Sequence, residues 1–169
     1  LPRRPFDFHK GMAGRVGVIA GSKGFIGAAV LAATGALRGG AGLVTIFTKE
    51  DSYAVISERA PLEAMVKCER DYRDLITLPV DAWAVGPGLG FDHEREILEM
   101  IRKAAVPMVI DADALTMLGK SGLKELMGAK HPRLLTPHPG EMKRLIFNRP
   151  NWHSMGRREM AEAFAAAYP

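Results

Sequence analysis

Short apolar runs and amphipathic stretches take turns along the whole chain. Apolar runs bounded by Gly, Pro or Asp predict strands over residues 15–20, 43–47, 82–85, 106–110 and 133–135, with one more over 62–68. Between them, apolar positions recurring every three to four residues predict helices over 26–38, 49–59, 93–104 and 114–127. The stretch "TPHPGEMKRLIF" opens another helix. Its first turn holds Pro139, which loses no bonded N–H there, and Glu141, whose carboxylate meets the positive helix end. A last helix, 155–167, follows the break "NRPNWHS", and the alternation calls for a further strand where the chain reaches Tyr168 and Pro169. Strand and helix in strict turn predict an α/β fold, a three-layer sandwich around a mostly parallel central sheet.

Composition narrows the picture a little. A chain of 169 residues, 47% hydrophobic and 25% charged, holds one domain or part of one. No apolar run approaches the roughly 20 residues of a membrane span. The net charge of +4 is spread among Asp and Glu and never gathers into a basic block interleaved with aromatics, so small anionic ligands account for it and nucleic acid is not expected. Cys68 is the single cysteine, which rules out an intrachain disulfide or a zinc motif built on a second Cys and suits a reducing compartment. The chain starts at Leu1 with "LPRRPFDFHKG", which has no signal-peptide core and reads as a cut from a longer polypeptide.

Four motifs carry the candidate chemistry. "GSKGFIGAAVLAATGALRGGAG", Gly21 to Gly42, sits between a strand and a helix. Its G-x-x-G-x-x-G spacing is neither the G-x-G-x-x-G dinucleotide fingerprint, despite Glu50 and Asp51 at a suitable distance, nor a P-loop. It reads equally as a tight turn with close helix packing and as a ligand loop presenting backbone N–H groups to an anion. "DAWAVGPGLG" sets Gly86, Gly88 and Gly90 around Pro87 at the carboxyl end of a strand, more glycine than a turn requires and in the place where open α/β sheets bind ligands. "VPMVIDADAL" puts Asp111 and Asp113 past another strand, a pair suited to hydrated Mg2+ or sugar hydroxyls; Asp113 is expected to cap the following helix and Asp111 to face the site. "LLTPHPGE" holds His138 between two prolines, an arrangement that aims the ring. His9, His93, His131 and His153 are read as surface residues, Cys68 as a packed residue, and Trp83 and the nine methionines as core.

In this order, "HKGMAGRVGVIAGSKGFIGAAVLAATGALRGGAGLVT", "GPGLG", "DADAL" and "LTPHPGE" resemble the ADP- or ATP-dependent NAD(P)H-hydrate dehydratase family, a branch of the ribokinase-like fold. The resemblance implies nicotinamide nucleotide repair. ADP or ATP phosphorylates the hydroxyl of the S form of hydrated NADH or NADPH, with Mg2+ expected, and loss of phosphate restores the dihydronicotinamide. It places Gly27, Ala28, Gly88, Gly90 and His138 against the hydrated dinucleotide, and Asp111 and Glu141 are taken with them as substrate-binding; no resident metal ligand is assigned. Family members continue into a "KG" strand that helps to bind the adenine nucleotide and a "GTGD" turn that supplies an anion hole and the catalytic aspartate. No G-x-G-D occurs in these residues. Residues 1–169 are therefore expected to form an incomplete domain with the substrate side and without the catalytic side, inactive by itself, completed by further chain or assembled as a homo-oligomer. A cytoplasmic location is expected, or an organelle in a eukaryotic source. Two other readings compete: a ribokinase-like kinase of a vitamin precursor or sugar, and a non-catalytic nucleotide-binding or interaction fragment whose exposed sheet edge would make it associate.

Overall fold

The computed structural model describes residues 5–168. The first residues of the linker-like start, 1–4, and Pro169 lie outside that range. Six strands, β1 (Arg15–Ile19), β2 (Leu43–Thr48), β3 (Ala64–Cys68), β4 (Ala82–Val85), β5 (Met108–Ile110) and β6 (Arg133–Leu135), form one sheet in the order β3-β2-β1-β4-β5-β6. Every pairing is parallel, with Val16 opposite both Val44 and Ala82, and Met108 opposite both Trp83 and Arg133. The helices are α1 (Ile26–Arg38), α2 (Glu50–Arg59), α3 (Glu94–Lys103), α4 (Ala112–Ser121), α5 (Lys124–Met127), α6 (Pro139–Leu145) and α7 (Arg157–Ala167). No described helix is long and apolar enough to cross a membrane.

The two faces of the sheet are built from different residues. On one, Ile19, Phe47, Trp83, Val85, Met108 and Ile110 pack with the apolar stripe of α3 and with α4 to α7. Gly17 is glycine because the Trp83 ring lies where its Cβ would be, 2.1 Å away. On the other, Val18, Val44 and Ile46 meet the small residues Ala29 and Ala33 of α1 and Ile56 of α2. α3 shows why such stretches become helices: Ile97, Met100 and Ile101 make one buried face, acids fill the first turn and Arg102 and Lys103 the last, each opposing the helix dipole. Arg133 then ties β6 to the end of α3. Its guanidinium donates to the carbonyls of Ile101 at 2.7 Å, Ala104 at 2.8 Å and Val106 at 3.0 Å, while burial pushes its pKa down.

Three expectations change. The helix expected over 114–127 begins at Ala112 and breaks into α4 and α5, because Gly122 (φ 76°) and Leu123 (φ 66°) both turn left-handed. The strand expected over 62–68 starts at Ala64, leaving Leu62 exposed, and the last helix starts at Arg157. Helices cover the second face of the sheet only over β1 to β3. In the row Ala84, Val109 and Leu134, the last two are 36% and 61% exposed.

A candidate dinucleotide crevice at the strand switch

Strand order reverses between β1 and β4, so the chain leaves these neighbours in opposite directions and opens a crevice at their carboxyl ends, the place where such sheets bind ligands. Both glycine loops lie there and are stitched together: Gly21 N donates to Pro87 O at 2.9 Å, and Gly86 N to Ile19 O at 3.0 Å. The geometry separates glycines that serve packing from one that does not. A Cβ on Gly86 (φ 122°) would sit 1.9 Å from Asp111 O, and one on Gly88 (φ 60°) would sit 2.8 Å from the Cβ atoms of both Phe25 and Ala28. Those two are needed for the backbone to close. Gly27 has ordinary helical backbone, and a Cβ there would meet nothing within 4 Å. The fold does not require it, and Gly27 is exposed next to Ala28, which Gly88 approaches.

α1 starts there, and its end is left electrostatically free. Phe25 is its N-cap without any side-chain cap, no acid lies in the first turn, and Lys23 is exposed on the loop before it. By contrast α2 carries Glu50 and Asp51, and α3 carries Glu94 and Glu96, in their first turns. An anion finds the first N–H groups of α1 open apart from that of Ala28, which donates to Phe25 O at 3.1 Å. Phe25, 64% exposed, lies at the same lip.

The next strand corrects one expectation. Asp113 is not the cap: Asp111 holds the N-cap position, without a side-chain cap bond, and Asp113 lies in the first turn, where its Oδ2 accepts from Gly90 N at 2.9 Å. Asp113 thus anchors the end of the second glycine loop from 23 residues away. Between the two acids Ala112 has φ 49°, a left-handed conformation costly for a residue with a Cβ and typical of functional sites.

His138 ends the β6 strand two places further along the sheet, about 10 Å from β4 at ordinary strand spacing. It is the N-cap of α6. Its Nδ1 accepts from Gly140 N at 3.0 Å and from Glu141 N at 3.4 Å, while Glu141 Oε2 accepts from His138 N at 2.9 Å. The reciprocal pair is a capping box with His in the place of Ser or Thr. Glu141 is only 7% exposed and the His138 side chain 62%, so the carboxylate is spent inside the fold and the ring is presented. Gly27, Ala28, Gly88, Gly90 and Asp111 thus gather around the switch, with His138 and Glu141 at the far end of the same sheet edge.

Two features were not read from the sequence. The Asp113 to Gly90 bond spans motifs with no local signal. The second is an ion network at the ends of β2 and β3: Lys49 Nζ donates to Glu96 Oε2 and to Arg70 O, each at 2.8 Å, and lies 4.0 Å from the centre of the Tyr72 ring. His93, 32% exposed, faces Glu96 at 3.0 Å. Burial pushes Glu96 up, but its bonds from Lys49, Tyr72 N and His93 outweigh that and hold it below the usual carboxylate range. Cys68 is half-buried at the end of β3, where its thiol donates to Glu50 Oε2 at 3.0 Å; that bond first, then burial, pushes its pKa up and away from nucleophilic use.

A more enclosed cavity of about 230 Å3 lies elsewhere, an apolar hollow beside β6 lined by Leu135, Met142, Leu145 and Phe164. None of the glycine-loop residues lines it. Among the described residues no group of three or more His, Cys, Asp or Glu is placed to hold a metal, and Asp113 is committed to Gly90. The described residues thus offer no all-protein cage for a metal, and no step below runs through one.

Residues 16–169 match the NAD(P)H-hydrate dehydratase family. The bifunctional NAD(P)H-hydrate repair enzyme of Moorella thermoacetica is 40% identical over 159 residues, covering 86% of this chain and 30% of that protein. Among solved structures, the ADP/ATP-dependent NAD(P)H-hydrate dehydratase of Bacillus subtilis, co-crystallised with ATP/Mg2+, superposes with a TM-score of 0.78 at 31% identity, over 99% of this chain and 60% of that one. A ribokinase-like superfamily protein of Enterococcus faecalis superposes with a TM-score of 0.75 at 26% identity, over 95% of this chain and 58% of that one. The chain spans less than two thirds of the length of each. The sheet agrees with these matches, and the chain belongs to the NAD(P)H-hydrate dehydratase family, on a ribokinase-like fold.

Proposed function

We propose that these residues form the substrate side of an enzyme that dehydrates the S form of hydrated NADH or NADPH, at the expense of ADP or ATP. The observation that carries this reading is the meeting of the two glycine loops at the strand switch, where Gly21 N bonds Pro87 O and Gly88 closes against Phe25 and Ala28 at the uncapped start of α1. A bulky dinucleotide needs main chain rather than side chains near its pyrophosphate, and Gly27, Ala28, Gly88 and Gly90 provide that surface. The uncapped start of α1 and Lys23 favour its negative charge. Asp111 accepts from a ribose hydroxyl, and His138, held by Glu141, meets the far end of the ligand.

The phosphoryl donor contributes the leaving group that makes loss of the hydroxyl easy. Phosphoryl transfer requires positive donors at the transferring group and a carboxylate to take the hydroxyl's proton. Asp113 does not meet that need, since its carboxylate is bonded to Gly90 N, and no ion pair to Asp111 or Asp113 is found among the described residues. The catalytic aspartate and anion hole belong to a G-x-G-D turn that these 169 residues lack. Residues 1–169, taken as one incomplete domain, bind substrate without turning it over. Homo-oligomeric assembly and a cytoplasmic location belong to the same proposal.

The test is a repair assay on the full-length protein carrying this segment, with hydrated NADH and NADPH and with ADP and ATP. Return of dihydronicotinamide absorbance together with released inorganic phosphate is expected. A stable phosphorylated product without that absorbance would identify a small-molecule kinase instead, and turnover by the 169-residue chain alone would contradict the division of roles.

A further inference from the structure

We infer that Glu141 is a positioning residue that holds the His138 ring with its proton on Nε2, so that His138 meets its ligand as a hydrogen-bond donor and not as a base. Backbone N–H groups only donate, so a ring nitrogen receiving them carries no proton. Nδ1 receives two, from Gly140 at 3.0 Å and Glu141 at 3.4 Å, which leaves Nε2 as the protonated nitrogen of the neutral ring. The Glu141 carboxylate lies beside the ring, with Oε1 at 3.3 Å from Nε2. Its second oxygen takes the His138 backbone N–H at 2.9 Å, which fixes the residue that carries the ring. Proline on either side, Pro137 and Pro139, removes the remaining backbone freedom.

The consequence is chemical. Nε2 with its proton has no lone pair to take another from a substrate hydroxyl, and Nδ1 could take one only by surrendering the cap. The exposed edge of His138 therefore selects an oxygen acceptor on the ligand: a phosphate oxygen, a ribose ether oxygen or an amide carbonyl. Glu141 acts through this ring and touches no ligand itself, consistent with its burial. Only the identity of the ligand rests on the proposed dehydratase reading; the tautomer follows from the cap.

The experiment is 15N NMR of the full-length protein labelled at histidine, without ligand and then with hydrated NADH. The wild type is expected to show His138 protonated at Nε2, with that resonance moving on ligand addition. Glu141→Ala is expected to release the ring into a mixture of tautomers and to raise the substrate KM about tenfold, the loss of one hydrogen bond, with kcat less affected; Glu141→Gln restores both. His138→Asn covers the case in which Glu141→Ala does not fold, because its side-chain oxygen keeps the cap while the Nε2 donor is gone; it is expected to keep the wild-type Tm and to show the same rise in KM. A proton found on Nδ1 in the wild type, an unchanged ring in Glu141→Ala, or wild-type affinity in His138→Asn would each overturn the inference. An Nε2 proton with no response to hydrated NADH would leave it standing and remove the dinucleotide reading instead.

Discussion

The hydroxyl of Tyr72 is buried without a hydrogen-bond partner, beneath Lys49 and edge-on to His93. A buried unpaired hydroxyl costs stability, so Tyr72→Phe is expected to stabilise the protein by about 1 kcal/mol. Burial, then the negative charges of Glu96 and Asp51, push the phenol pKa up. The unfolded chain therefore releases this proton first, and stability is intact below pH ~10 and falls as pH rises beyond it. Thermal melts at neutral pH and above pH ~10 check both parts: the variant should melt higher and lose less on the alkaline side. An equal alkaline loss in both proteins would show that Tyr72 does not carry it. At this scale the sequence was informative about residues whose neighbours in the chain explain them. His138 between prolines and Glu141 in the first turn of its helix were read from their neighbours, though not as a capping box, whereas Tyr72 under Lys49 and Asp113 on Gly90 are meetings of distant segments and leave no local signal.

At the level of elements, α1 and the two loops beside it form the proposed site. Gly27→Ala adds a methyl group to open space in a helix, which favours the helix by up to about 1 kcal/mol. On the proposed reading the same methyl meets the ligand. Melting and substrate titration of this one variant should therefore move in opposite directions, with a higher Tm and weaker binding; binding unchanged beside a higher Tm would place the ligand elsewhere. Asp113→Ala removes the anchor of Gly90 and should weaken binding about tenfold, while Asp113→Asn keeps an acceptor and much of the affinity. Most elements were legible in the apolar pattern, because β1 and β2, buried on both faces, give short unbroken runs and α1, over 26–38, shows its small-residue face. The break between α4 and α5 was not, since Gly122 and Leu123 interrupt an apolar periodicity that continues across them.

Across the whole molecule the sheet is sandwiched on one side and half open on the other. Val109 and Leu134 show apolar surface there, beside a strand, β6, whose outer edge is unpaired among the described residues. Such a surface drives association, and Leu134→Lys should shift the 169-residue chain toward monomer in sedimentation. An unchanged distribution would show that this face is not what associates. The order of strands, and with it the crevice between β1 and β4, was only implied by alternation, since handed crossovers decide it. The central claim is that the crevice at this switch holds the hydrated dinucleotide. Titrating hydrated NADH into the 169-residue chain and following backbone amide NMR signals tests it without needing turnover. The account predicts saturable shifts at Gly27, Ala28, Gly88, Gly90 and His138; shifts confined to the apolar hollow beside β6, or none at all, would contradict it.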